Sequence, residues 1–163
     1  MVYLESSAWV KRYVAERGSE VIHSLLAFTQ AQSGWQVGSA WLGLAEVIAV
    51  LHRLSHRQEL SRAVLSRLVQ QLFEDRAGMR LLSLSESDWA GVVELVVRHS
   101  LTAADAVHLQ AAISWQGMLS DGRCVFVSAD RRLLRAAARE GLVAFDAEVG
   151  DWVHLQALLE GTS

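Results

Sequence analysis

Short apolar runs alternate with longer stretches of helical periodicity along the whole chain, and that alternation leaves few folds open. Val2-Tyr3-Leu4, Leu81-Leu82-Ser83-Leu84, Cys124-Val125-Phe126-Val127 and Leu142-Val143-Ala144-Phe145 each read as a short buried strand. A turn and a further short strand fit between Gly34 and Ser39. Proline is absent, so helix boundaries follow from caps, glycines and periodicity. Ser6 or Ser7 caps a predicted helix running to about Glu16, and Gly18-Ser19 opens a second through Ala27. Trp41 to Leu54 is a strongly apolar helix. Residues 57–75 form another, carrying Leu60, Val64, Leu68 and Leu72 at helical spacing and closed by Gly78. The remaining predicted helices follow the Ser85-Glu86-Ser87-Asp88 cap, span Ala103–Trp115 after Thr102, span Arg131–Arg139, and cover Trp152–Leu159.

Strands and helices in this order imply a parallel sheet covered by helices on both faces. Ligands in such sheets bind beyond the carboxyl ends of the strands. Those ends are therefore where chemistry is to be sought.

A chain of 163 residues, 52% hydrophobic and 20% charged, suits one domain with one sizeable core, residues 1–163. Its net charge of -3 lacks the basic excess of a simple nucleic-acid-binding module, so any nucleic-acid chemistry depends on a local site. Lys11 is the only lysine. Arginine is the better bidentate phosphate partner, although a GC-rich coding sequence explains the bias equally well. The lone cysteine, Cys124, excludes an internal disulfide and reads as a small buried hydrophobe. Glu5, Lys11 and Arg12 interrupt any apolar leader, and the uncharged segment 21–45 is broken by Gln30, Gln32, Gly34 and Gln36. The expectation is a cytoplasmic protein without membrane partners.

Four acids occupy telling positions. Glu5 follows the first strand and precedes a helix, where a solvated acid would favour the helix dipole. Glu46 is the only charged residue in Leu42–Leu51. A carboxylate buried there needs a metal, a cation or hydrogen bonds; the structural alternative is an edge position paired with an arginine. Asp105 lies three residues after Thr102, in capping-box spacing. Asp130 follows the Cys124–Ala129 run and suits an N-cap. Each has a structural explanation by itself. Together they supply oxygen donors at strand ends and helix starts, a set that favours Mg²⁺ or Mn²⁺ over zinc.

The segment Val2-Tyr3-Leu4-Glu5-Ser6-Ser7-Ala8-Trp9-Val10-Lys11 resembles the opening of PIN-domain proteins, especially VapC-type toxins of bacterial toxin–antitoxin systems. Leu44-Ala45-Glu46-Val47 is similar to their central glutamate motif. Thr102-Ala103-Ala104-Asp105-Ala106-Val107-His108-Leu109 and Val127-Ser128-Ala129-Asp130-Arg131-Arg132-Leu133 resemble their third and fourth acidic motifs. The resemblance spans nearly the whole chain, with the motifs in the family's order. It implies a PIN-like three-layer α/β/α sandwich with a central parallel sheet and a divalent-metal-dependent endoribonuclease. It also implies a homodimer and inhibition by a cognate antitoxin.

By the same resemblance, Glu5, Asp105 and Asp130 hold the metal with Glu46 close by, and Ser7 and Ser128 orient the carboxylates or a metal-bound water. Arg12, Arg131 and Arg132 are candidate RNA phosphate contacts, and Trp9 is the tryptophan to consider for base stacking. The family has Asp where this chain has Glu5. The added methylene displaces the carboxylate by about 1.5 Å, which bears on an ion as geometrically strict as Mg²⁺. A catalytically impaired module that binds RNA or protein is therefore the alternative. A receiver-like phospho-acceptor domain fits less well: it would need a late strand-end lysine, and no Gly-rich phosphate loop is present.

Overall fold

The computed structural model describes residues 1–32, 34–119 and 123–161. Five strands form one parallel sheet: β1 (Val2–Leu4), β2 (Val37–Ala40), β3 (Arg80–Leu82), β4 (Val125–Ser128) and β5 (Val143–Asp146). Their order is β3-β2-β1-β4-β5. β1 pairs with β2 through Val2↔Val37 and with β4 through Leu4↔Val127. The chain thus builds outward from β1 in one direction, then returns to lay β4 and β5 on its other side. The topological switch point falls between β1 and β4, where such sheets open a crevice at their carboxyl ends.

Period-two alternation divides the strands between two cores. Val2, Leu4, Val125, Val127 and Phe145 face one of them. It is covered by α1 (Ser6–Trp9), α2 (Ser19–Ala31), α3 (Trp41–His56), α4 (Arg62–Arg76) and α8 (Trp152–Glu160). Tyr3, Cys124 and Phe126 face the other, under α5 (Asp88–His99), α6 (Ala103–Gly117) and α7 (Arg131–Arg139). The expected three-layer α/β/α architecture with a central parallel sheet is what results. Fully buried side chains such as Leu51 and Leu72 each contribute about 1.5–3 kcal/mol of hydrophobic stabilisation. Among the described residues, no helix is long and apolar enough to cross a membrane.

The departures from expectation have local causes. The first helix stops far short of Glu16: α1 gives way to a 3-10 turn at Val10–Arg12. There the buried Lys11 ammonium is held by Glu16 and Glu148, each at 3.1 Å, which folds the chain back on itself. The expected helix over 57–75 begins only at Arg62, because α3 continues to His56 and Gln58 adopts a left-handed φ of 63°. Ser61 then caps α4 by accepting from the Val64 N–H. β4 and β5 sit one residue later than the apolar runs suggest, since Ser128 and Asp146 remain in the ladder.

Two glycines set helix positions. A Cβ on Gly38 would lie 2.3 Å from the Trp115 ring, so α6 crosses β2 only over a bare backbone. A Cβ on Gly43 would lie 2.6 Å from Ser39 Oγ and 3.0 Å from His108 Cε1. Gly43 therefore lets α3 come down beside α6, with Glu46 less than one turn further along.

Candidate active site

Glu5 sits directly past β1, its N–H bonded to the Val127 carbonyl of β4, so it marks the switch point itself. Its side chain is 4% exposed, not solvated. Ser6 Oγ at 2.6 Å and the Ser7 N–H at 3.1 Å donate to Oε1. Ser128 Oγ at 2.8 Å and Ser7 Oγ donate to Oε2. A carboxylate offers about four acceptor positions, and all of them are taken. The serines are themselves anchored at the end of β4: Ser7 Oγ accepts the Ala129 N–H and Ser128 Oγ accepts the Asp130 N–H.

Glu46 projects from α3 and is about a third exposed, less buried than its apolar surroundings suggest. His108 Nε2, on α6, lies 2.7 Å from its Oε2. Burial acts to raise the Glu46 carboxyl. The His108 hydrogen bond, with smaller contributions from Ser6 and Arg53, outweighs it and holds the group below the usual carboxylate range. His108 is 1% exposed, and its Nδ1 lies 2.8 Å from Tyr3 Oη. Tyr3 is wholly buried between the His108 ring edge and a Phe126 ring stacked at 5.3 Å, and its Oη accepts the Ala40 N–H. Burial pushes its hydroxyl well above the ordinary phenol range, further than the Ala40 N–H and Ser39 pull it back. Tyr3 is therefore a neutral phenol.

Ligand atoms of Glu5, Glu46 and His108 all lie within 4.8 Å of one another, the one such group of metal-binding type among the described residues. Asp105 and Asp130 stand outside it. Asp105 is half-buried in the first turn of α6, its N–H donating to Thr102 Oγ1 at 3.2 Å. Asp130 is exposed and caps α7, its Oδ1 accepting the Arg132 and Leu133 N–H groups at 2.7 and 3.0 Å. Asp105 thus stands in the opening turn of α6 and Asp130 at the start of α7, directly after β4.

The basic candidates differ in freedom. Arg12 is committed to Asp75 at 3.0 Å, which Tyr13 Oη also reaches at 3.1 Å. Arg131 is exposed and only loosely paired with Asp146 at 3.6 Å, and Arg132 is exposed. Trp9 is fully buried in the core, so it offers no face to a base. Cys124 is buried, and desolvation pushes its thiol up to about 12, as befits an inert hydrophobe. Sequence alone did not single out Tyr3 or Ser39, and Ser6 only as a helix cap; along α6 the acid nearest His108 is Asp105, three residues before it. Only the pairing of α3 with α6 supplies Glu46 instead.

Chemically, two carboxylates and an imidazole in such proximity suit a divalent cation, which would relieve the repulsion between Glu5 and Glu46. No family model and no curated protein matches the chain. Its fold is similar to that in the crystal structure of PAE2754 from Pyrobaculum aerophilum. The two share 19% identity over 98% of this chain and 96% of that one, with a TM-score of 0.63. At that identity the likeness extends to the fold alone.

Proposed function

We propose that this chain is a divalent-metal-dependent endoribonuclease, similar to PIN-domain toxins of the VapC type, that cleaves RNA phosphodiester bonds. The observation that carries this reading is the meeting of Glu5 and Glu46 at the β1/β4 switch point. Asp105 and Asp130, at the starts of α6 and α7, support it. Carboxylate oxygens are the donors that Mg²⁺ or Mn²⁺ prefer, so Glu46, Asp105 and Asp130, with Glu5, are the residues that would hold the ion. When bound, it would supply an activated water and neutralise charge on the phosphodiester. Ser7 and Ser128 fix the Glu5 carboxylate, and Arg131 and Arg132 are exposed for phosphate contacts. A cognate antitoxin, a homodimer and a cytoplasmic setting belong to the same reading. The exposed Trp41 and Phe73, flanking Arg76, support a partner surface on α3 and α4.

The test is cleavage of single-stranded RNA by the purified chain with Mg²⁺ or Mn²⁺ and with chelator, beside Asp105→Asn and Asp130→Asn. Cleavage should require the ion and vanish in both variants. Cleavage that survives chelation, or persists in both variants, overturns the assignment.

One observation favours the second reading, a catalytically impaired RNA- or protein-binding module. Glu5 spends every acceptor position on protein donors, so it joins an ion only by releasing a serine. On that reading, wild type binds RNA uncut and Glu5→Asp gains cleavage.

A further inference from the structure

We propose that His108 is a positioning residue that holds Glu46 through a fixed ring tautomer, set by Tyr3, and that it is not itself a metal ligand. The inference rests on the function proposed above for its catalytic consequence, but its geometry is independent of it.

The direction of each hydrogen bond follows from the donors and acceptors present. Tyr3 Oη already accepts the Ala40 N–H at 3.0 Å, and its own proton needs an acceptor inside a wholly buried pocket. His108 Nδ1 stands 2.8 Å away. A neutral imidazole offers one donor and one acceptor, and the bond made by one nitrogen decides the role of the other. With Tyr3 donating to Nδ1, the ring proton sits on Nε2 and points at Glu46 Oε2, 2.7 Å away. The carboxylate can only accept. The chain of donation therefore runs from Tyr3 through His108 to Glu46 in one sense.

This decides between two roles for a group of three ligand atoms that lie within 4.8 Å. A protonated Nε2 has no lone pair for an ion. Within that group the donors reduce to Glu5 and Glu46 oxygens, which suits a hard cation and disfavours zinc. The Tyr3 and His108 rings meet near a right angle, at 5.9 Å between centroids and 80° between planes, and Gly43 admits the His108 Cε1 edge from the α3 side. The ring is thus held on two sides, and Glu46 has a fixed partner on a neighbouring helix. Ser39 Oγ, buried beside this cluster, also acts on the Tyr3 hydroxyl and is a competing partner for it.

The test reads the tautomer directly. Two-bond ¹H–¹⁵N correlation spectra of the full-length wild type at neutral pH should show His108 with protonated Nε2 and bare Nδ1. Saturating Mg²⁺ should leave that pattern in place. A protonated Nδ1, alone or together with Nε2, or a coordination shift of Nε2 on adding Mg²⁺ or Zn²⁺, overturns the proposal. Two variants then test the consequence. In His108→Gln the amide can still donate to Glu46, and cleavage should fall less than in the leucine variant. In His108→Leu it should fall by about tenfold to a hundredfold, the usual scale for loss of an outer-shell partner, mainly in kcat. Equal losses in both variants count against a positioning role. The spectra require no catalysis, so absence of RNA cleavage defeats the proposed function and leaves the tautomer result to stand or fall alone.

Discussion

Glu5 Oε2 and Ser128 Oγ, 2.8 Å apart, join the carboxyl end of β1 to that of β4 across the point where the sheet reverses its order. The residues are 123 positions apart in the chain. Each hydroxyl around Glu5 either donates to the carboxylate or ties it to a backbone N–H of the neighbouring strand end. Replacing Ser128 with alanine removes a donor from a buried carboxylate and the acceptor of the Asp130 N–H. Ser128→Ala should lose about 1–3 kcal/mol, the scale of leaving buried polar groups unsatisfied. Denaturant unfolding measures it, and a loss under half a kilocalorie would refute this clamp.

Asp130 permits fold and chemistry to be separated at one position. Its Oδ1 caps α7 through two backbone N–H groups, and asparagine caps as well as aspartate. Asp130→Asn should keep stability nearly unchanged while removing metal-dependent cleavage; Asp130→Ala should lose both, with about 1 kcal/mol from the cap. Thermal melts beside cleavage assays distinguish the two variants.

Gly43→Ala tests how α3 is seated. In an isolated helix the change is favourable by about 1 kcal/mol. Here the added methyl meets Ser39 Oγ at 2.6 Å and His108 Cε1 at 3.0 Å. The variant should be destabilised in spite of propensity, by about 1–3 kcal/mol as for other overpacked sites, and its Glu46–His108 contact should loosen. A more stable variant would contradict the close approach.

Lys11 is 2% exposed, with its ammonium shared by Glu16 and Glu148, which are each about 40% exposed. The glutamates can rehydrate, so the stem's packing is most of what the residue contributes. Lys11→Ala should cost about 2–3 kcal/mol through the cavity it leaves. Lys11→Met, which refills the volume, should cost under about 1.5 kcal/mol. Equal losses in the two variants would shift the weight to the ion pairs.

Glu140 gives a pH dependence remote from the site. The His99 hydrogen bond, with Arg98 behind it, holds its carboxyl below the usual range against the opposing effect of burial. A depressed folded-state value means stabilisation fully present above the unfolded carboxylate value and lost as pH falls through the folded one. The acid limb of stability should therefore be shallower in Glu140→Gln than in wild type. Identical limbs in urea titrations from neutral pH downward would remove Glu140 from that role.

What the sequence by itself determined is the architecture. Short apolar runs between helical stretches leave a parallel sheet with two helical faces as the economical way to bury them. The capping residues Thr102 and Asp130 are local, and their spacing declares them. Element boundaries were less legible where a long-range contact overrides local preference, as Lys11 does in ending the first helix by pairing with Glu148. Tertiary structure alone decided which groups meet. His108 has Asp105 as its neighbour along α6, but the approach of α3 at Gly43 gives it Glu46, and the strand pleat gives it Tyr3. Glu5 reads as a solvated acid until β4 brings Ser128 beside it. Hydrogen bonds between residues more than a hundred positions apart leave no periodic trace in the chain, because they depend on how strands and helices are stacked and not on any local spacing.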